Sequence, residues 1–131
     1  MSTIDTVVRS EQPDDIAPDG SEVRLLCCLD GASTAEFLLP PGRVSRAVTH
    51  RSVEEIWYVI EGIGEIWRSS SGESQIAALA PGTSITIPVG TSFQFRASAD
   101  VRLRVLGVTI PPWPGVDEAV PAAGPWAPVV A

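Results

Sequence analysis

Lysine is missing from this chain of 131 residues, so all nine of its basic side chains are arginines. Without a lysine amine there is no Schiff base and no Walker-type phosphate loop, whose lysine reaches the outer phosphates. The glycines of GIGEIW, residues 62–67, lack the third glycine of a dinucleotide-binding turn. Positive charge is scarce overall: 16 acidic residues against nine arginines leave a formal net charge of -7. Such a surface repels polyanions, and no stripe of mixed basic and aromatic residues is available to track a nucleic-acid strand. Nucleic acid and anionic membrane are therefore not expected as partners.

Long apolar runs are missing too. No window approaches the roughly 20 apolar residues that cross a bilayer. The opening MSTIDTVVRSEQPDDIAPDG carries acids and prolines and no apolar secretory core. The only cysteines, Cys27 and Cys28, are neighbours. In a strand, adjacent side chains point to opposite faces, so a bridge between them is strained and both are expected to be reduced. These absences lead to the expectation of a soluble, cytoplasmic protein.

What is present is punctuation. Twelve prolines and 11 glycines separate short apolar runs, and no long stretch of helical spacing follows residue 20. Many short strands joined by tight turns, an all-β class, account for that texture. The length suits one domain with a single core. SEVRLLCCLDG and STAEFLLPPG predict a hairpin of two strands, and further strands are predicted over 43–50, 55–61, 64–70, 74–80, within PGTSITIPVG between Gly82 and Gly90, and over 92–96 and 101–110. The expected total, with a short edge strand in TIDTVV, is about nine or ten strands, spaced as in a sandwich or barrel.

Three regions follow: a loosely ordered acidic lead-in over 1–20, a barrel domain over 21–110, and a tail over 111–131. The tail, PPWPGVDEAVPAAGPWAPVVA, denies the backbone many ladder donors. Its two tryptophans, Trp113 and Trp126, are expected to anchor it along the barrel, over the mouth or a subunit boundary.

The single histidine, His50, stands five positions before Glu55. It has three readings: a remnant of a metal site, half of an acid–base pair, or a structural hydrogen-bonder. The surrounding spacing, Gly42-x5-Val48-x-His50-x4-Glu55-x6-Gly62 followed by Gly82-x5-Pro88-x-Gly90-x2-Phe93, resembles the two signature motifs of the cupin superfamily. That resemblance implies a small double-stranded β-helix barrel, a jelly roll. It assigns His50, Glu55 and Gly62 to the second histidine, the glutamate and the glycine of the first motif. Val48 replaces the first histidine. In the second motif, Phe93 and Ala97 stand where a histidine and an asparagine are usual.

Period-two alternation identifies the side chains that would share the barrel interior with His50 and Glu55: Arg46 and Val48 on one strand, Trp57 and Val59 on the next, and Phe93 and Phe95 across the barrel. A largely apolar pocket with a few convergent polar groups is typical of a small-molecule site. Arg46 is left with two roles, holding a carboxylate or phosphate of the ligand or neutralising Glu55. Trp57, Phe93 and Phe95 are candidate ligand contacts; for Trp57 and Trp67 core or interface packing is favoured over ligand stacking, Trp57 being the better ligand candidate by its parity with Glu55. No cofactor is expected. A divalent metal would be held weakly at best, by His50 and Glu55, because Val48 and Phe93 donate nothing.

Two functions remain open. One is a binding module for a small, largely apolar molecule. The other is an isomerase, epimerase or lyase with His50 as general base and Glu55 orienting it, or a metal-dependent enzyme with a reduced ligand set. Metal-free sugar epimerases of the superfamily use a histidine base with a tyrosine acid, but the only tyrosine here, Tyr58, has the parity of the outer face. Sheet edges in such barrels invite a partner, so a homodimer built on the N-terminal strands and the tail is expected.

Overall fold

The computed structural model describes residues 3–130; Met1, Ser2 and Ala131, the outer ends of the lead-in and tail, lie outside the described residues. Among the described residues eleven strands form two antiparallel sheets. They are β1 (Asp15–Ile16), β2 (Glu22–Cys28), β3 (Ser33–Leu39), β4 (Val48–His50), β5 (Glu54–Glu61), β6 (Gly64–Ser70), β7 (Glu73–Leu79), β8 (Ser84–Ile87), β9 (Ser92–Ala97), β10 (Leu103–Ile110) and β11 (Ala119–Pro121). One sheet has the order β1-β2-β3-β10-β5-β8 and the other β11-β4-β9-β6-β7. From β3 onward the chain passes back and forth between the sheets, with only β6 and β7 staying in one sheet as a hairpin. This winding is the jelly roll, and the class is all-β.

The alternation written in EEIWYVIE places Glu55, Trp57 and Val59 inside and Glu54, Ile56, Tyr58 and Ile60 outside. In β10, Leu103, Val105 and Thr109 point inward, and Gly107 leaves space that the Phe37 ring occupies: a Cβ on Gly107 would lie 2.3 Å from that ring. Between the sheets Trp57 packs against Phe93 and Phe95 at centroid separations of 5.9 and 4.8 Å, both edge to face. Edge-to-face pairs of this kind each add about 1 kcal/mol beyond the area they bury.

Three local expectations are corrected. TIDTVV forms no strand; the edge strand is β1, whose neighbour Asp14 donates its N–H to Val23 and accepts from the Leu25 N–H. The lead-in is tied down, because the buried Arg24 holds the carbonyls of Ser10 and Glu11 and Arg9 forms a forked pair with the buried Glu36. The predicted strand over 43–50 is broken. Val44 makes isolated bridges to Arg96 and Val129, and regular pairing begins only at Val48. The cause is a lapse in alternation, since Ala47 and Val48 are consecutive and both buried.

The tail lies along its own barrel. β11 pairs with β4 and closes that sheet edge, Trp126 stacks under the Arg96 guanidinium at 4.0 Å, and a 3-10 turn (Val116–Glu118) precedes β11. Glu118 accepts hydrogen bonds from the Ser52 N–H, the Ser52 hydroxyl and the Val53 N–H at 2.6, 2.7 and 2.7 Å, which pins the tail to the β4–β5 connection. No helix among the described residues is long and apolar enough to cross a membrane.

Candidate functional site

At one end of the barrel a mainly apolar cavity of about 100 Å³ opens between the sheets. β4 delivers His50 to its wall, β5 delivers Glu55 and Trp57, β9 delivers Phe93, and β3 delivers Phe37. The lead-in contributes residues 15–19 to the rim, and the tail contributes Trp113, Val116 and Ala119.

His50 and Glu55 meet inside this wall, with His50 Nδ1 3.2 Å from Glu55 Oε2 and both side chains almost fully buried. The approach is close but not aligned as a hydrogen bond, so Nδ1 has no bonded partner. The other carboxylate oxygen, Oε1, accepts the indole N–H of Trp57 at 2.6 Å. The imidazole is gripped edge-on by Phe93 and Trp113, each at 5.1 Å. Trp113 is positioned in turn by its backbone N–H, which donates to Ser33 Oγ at 3.1 Å; that hydroxyl also bonds Thr109 Oγ1.

Burial governs the electrostatics. It lowers His50 to about 4 despite the nearby Glu118 carboxylate. It raises Glu55 to about 7, against the Trp57 hydrogen bond and with the help of Asp19. Asp19, which lines the cavity rim, is also raised by burial, against bonds from the Ser21 N–H and hydroxyl and the charge of Arg46. Between about pH 4 and 7 the pair therefore favours an uncharged imidazole facing a carboxyl that has taken up a proton.

Of the residues singled out in the sequence, His50, Glu55, Trp57 and Phe93 line the cavity together. Phe95 is fully buried one layer deeper, against Trp57. Arg46 is corrected: it is exposed and absent from the cavity wall, because the lapse at Ala47–Val48 reverses its parity relative to His50. Its backbone N–H donates to the Asp19 carbonyl at 2.7 Å. Cys27 and Cys28 are both exposed, so neither supplements the site. Trp113 had a sequence signal, as an aromatic in a proline-rich tail. Asp19 and Phe37 had none, because their approach depends on long-range pairing.

The metal pattern is filled with hydrocarbon. Val48 and Phe93, at the two positions where cupin motifs carry histidines, are buried and directly opposite one another in the β4–β9 register. Among the described residues no group of three or more His, Cys, Asp or Glu side chains is placed to hold a metal ion. A resident metal does not fit this donor set.

A two-sheet jelly roll with a polar pair set in an apolar barrel end defines the class as a double-stranded β-helix protein. The Cupin domain family profile matches residues 35–109, more than half of the chain, and the chain belongs to that family. Its fold is shared with the capsular polysaccharide assembling protein CapF of Staphylococcus aureus (TM-score 0.67, 16% identity), over 78% of this chain and 32% of that one. The chain thus spans about a third of CapF. Smaller proteins match over most of their length. KdgF of a Halomonas species has a TM-score of 0.62 and 21% identity, over 75% of this chain and 85% of that one. TT1209 of Thermus thermophilus has a TM-score of 0.62 and 20% identity, over 75% of this chain and 90% of that one. At these identities the likeness concerns the fold. No curated protein matches the sequence significantly.

Proposed function

We propose that this cupin binds a small, largely apolar molecule in the barrel, oriented by one polar group against His50 and Glu55, without a full metal shell. The observation that carries this reading is the cavity wall itself, aromatic and aliphatic except for a few convergent polar groups. At about 100 Å³ the space is smaller than the cavity of about 150 Å³ that admits benzene. A ligand of roughly four heavy atoms suits it, and a larger one requires Trp113 and the tail to move outward.

The test is an NMR titration with a panel of small alcohols, ketones and amides, reading the Trp57 indole N–H and the His50 ring. Saturable shifts at both, lost in a cavity-filling Ala119→Leu variant, are the expected result. A panel that shifts neither resonance would remove the proposal. Elemental analysis should run beside it: near-stoichiometric metal that vanishes in both His50→Ala and Glu55→Ala would overturn the metal-poor reading.

A second reading, proton transfer, is favoured by the unpartnered Nδ1 beside a carboxyl raised to about 7. A neutral imidazole and a protonatable acid in one apolar site are the requisites for moving a proton on a bound substrate. This reading requires His50→Gln to abolish turnover while the fold survives. A pair serving structure alone would lose stability instead, with no ligand-dependent titration. Residence in the cytoplasm and pairing into a homodimer remain part of the proposal, the latter checked by mass in solution.

A further inference from the structure

Three buried side-chain nitrogen or oxygen atoms among the described residues lack a hydrogen-bond partner: His50 Nδ1, Arg68 Nε and Thr91 Oγ1. The first belongs to the cavity above. The other two line a separate, polar cleft of about 260 Å³. It lies where the β6–β7 hairpin of one sheet faces the end of β8 from the other.

Arg68 spans that gap. Its Nη1 donates to the Thr86 carbonyl at 2.8 Å and its Nη2 to Gln75 Oε1 at 3.3 Å, so the guanidinium is fixed in orientation with Nε unused. None of the ion pairs among the described residues involves Arg68. Thr91, in the cleft wall, is 3% exposed and its backbone N–H is spent on the Pro88 carbonyl; its enclosed hydroxyl oxygen has no partner. Ser69, Ser70 and Ser74 add hydroxyls around the opening. A buried polar group left unpaired costs stability, and here two such groups line one cleft. Both can donate, so what satisfies them is an acceptor, and the charge of Arg68 selects a negative one. The exposed Glu73 at the edge opposes a multiply charged guest.

We propose that this cleft is a binding site for a small, singly charged oxyanion, a carboxylate or a monoanionic phosphate group, held by Arg68 and Thr91 with the surrounding serine hydroxyls. The site is distinct from the apolar cavity, and the proposal does not depend on what that cavity binds. Arg68 lies opposite Phe93 in the β6–β9 register, so the two sites share a strand pair but not their lining.

The experiment is a titration of the ¹⁵N-labelled full chain with acetate and, separately, inorganic phosphate near pH 6, with ionic strength held constant by chloride. Saturable shifts of the Arg68 Nε–H and of the Ser69 and Thr91 amides are expected with at least one anion, and which one saturates identifies the source. Affinity should fall about tenfold in Thr91→Val, the scale of one hydrogen bond to a charged group, and further in Arg68→Gln. Thr91→Val should melt no lower than the parent, because it deletes an unpaired hydroxyl, which keeps loss of binding separate from loss of fold. Shifts that grow linearly with both anions, or that are equal in the parent and Thr91→Val, would overturn the proposal.

Discussion

His50 and Glu55 are buried side by side, and burial disfavours the charged form of each, with opposite consequences for pH. The folded His50 stays neutral down to about 4 while the unfolded imidazole protonates near 6.5. The unfolded state then binds more protons, so this residue makes stability rise with pH from about 4 to 6.5. Folded Glu55 keeps its proton up to about 7, whereas the unfolded carboxyl loses it near 4.5. The folded state then binds more protons, so this residue makes stability fall as pH rises from 4.5 to 7. The two slopes oppose each other over the same window, each on the order of 3 kcal/mol in total. Relative to the parent, Glu55→Gln should therefore gain stability as pH rises toward 7, and His50→Gln should lose it. Urea denaturation at intervals between pH 4 and 8 would show this, and parallel curves for all three proteins would refute the assignment. Both residues were legible in the sequence because His50 is the sole histidine, at motif spacing from Glu55, and the Glu55 strand alternates cleanly. Arg46 was not, because parity counted back from His50 cannot anticipate two consecutive buried residues at Ala47 and Val48.

At the level of elements, the turns were legible and the lead-in was not. Gly62, which ends β5, has φ +96°, and a Cβ there would lie 2.0 Å from the Arg102 carbonyl oxygen. Gly62→Ala should cost about 2–4 kcal/mol, backbone strain and overlap together. Gly42 has φ +75° with open space around it, so Gly42→Ala should cost only about 1–2 kcal/mol, and urea midpoints would resolve the two. The tail is tied to the site through Glu118. Burial would raise its carboxyl, but bonds from Ser52 and Val53 outweigh that and hold it below the ordinary carboxylate range. The stability it lends is present above the unfolded value near 4.5 and lost as pH falls through the lower folded one. Glu118→Ala should cost about 2–3 kcal/mol at neutral pH and speed amide exchange at Ser52 and Val53, because two N–H donors and a hydroxyl lose their acceptor. Unchanged exchange at those amides would show that the tail is held elsewhere, by Trp126 and the Val44–Val129 bridge. Two tryptophans in a proline-rich tail marked Trp113 and Trp126 as anchors, but not that one covers His50 and the other meets Arg96.

For the whole molecule, the tail and the two-residue β1 cover sheet edges from within the same chain, which leaves β7 and β8 as the bare edges. The proposed homodimer should appear in sedimentation equilibrium as twice 13.9 kDa, and a mass of one chain would dismiss it. The all-β class, the turns, the membership in a barrel family and the inward set of His50, Glu55, Trp57 and Phe93 were determined by the sequence alone. All of these rest on local chemistry: glycine and proline set turns, and period-two alternation sets faces. Only the tertiary structure decided that Val48 meets Phe93 across β4 and β9, that Asp19 and Trp113 reach the cavity rim, and that Arg68 and Thr91 share a polar cleft. Each of these joins residues far apart in the chain, through strand pairing and sheet packing that no local pattern encodes.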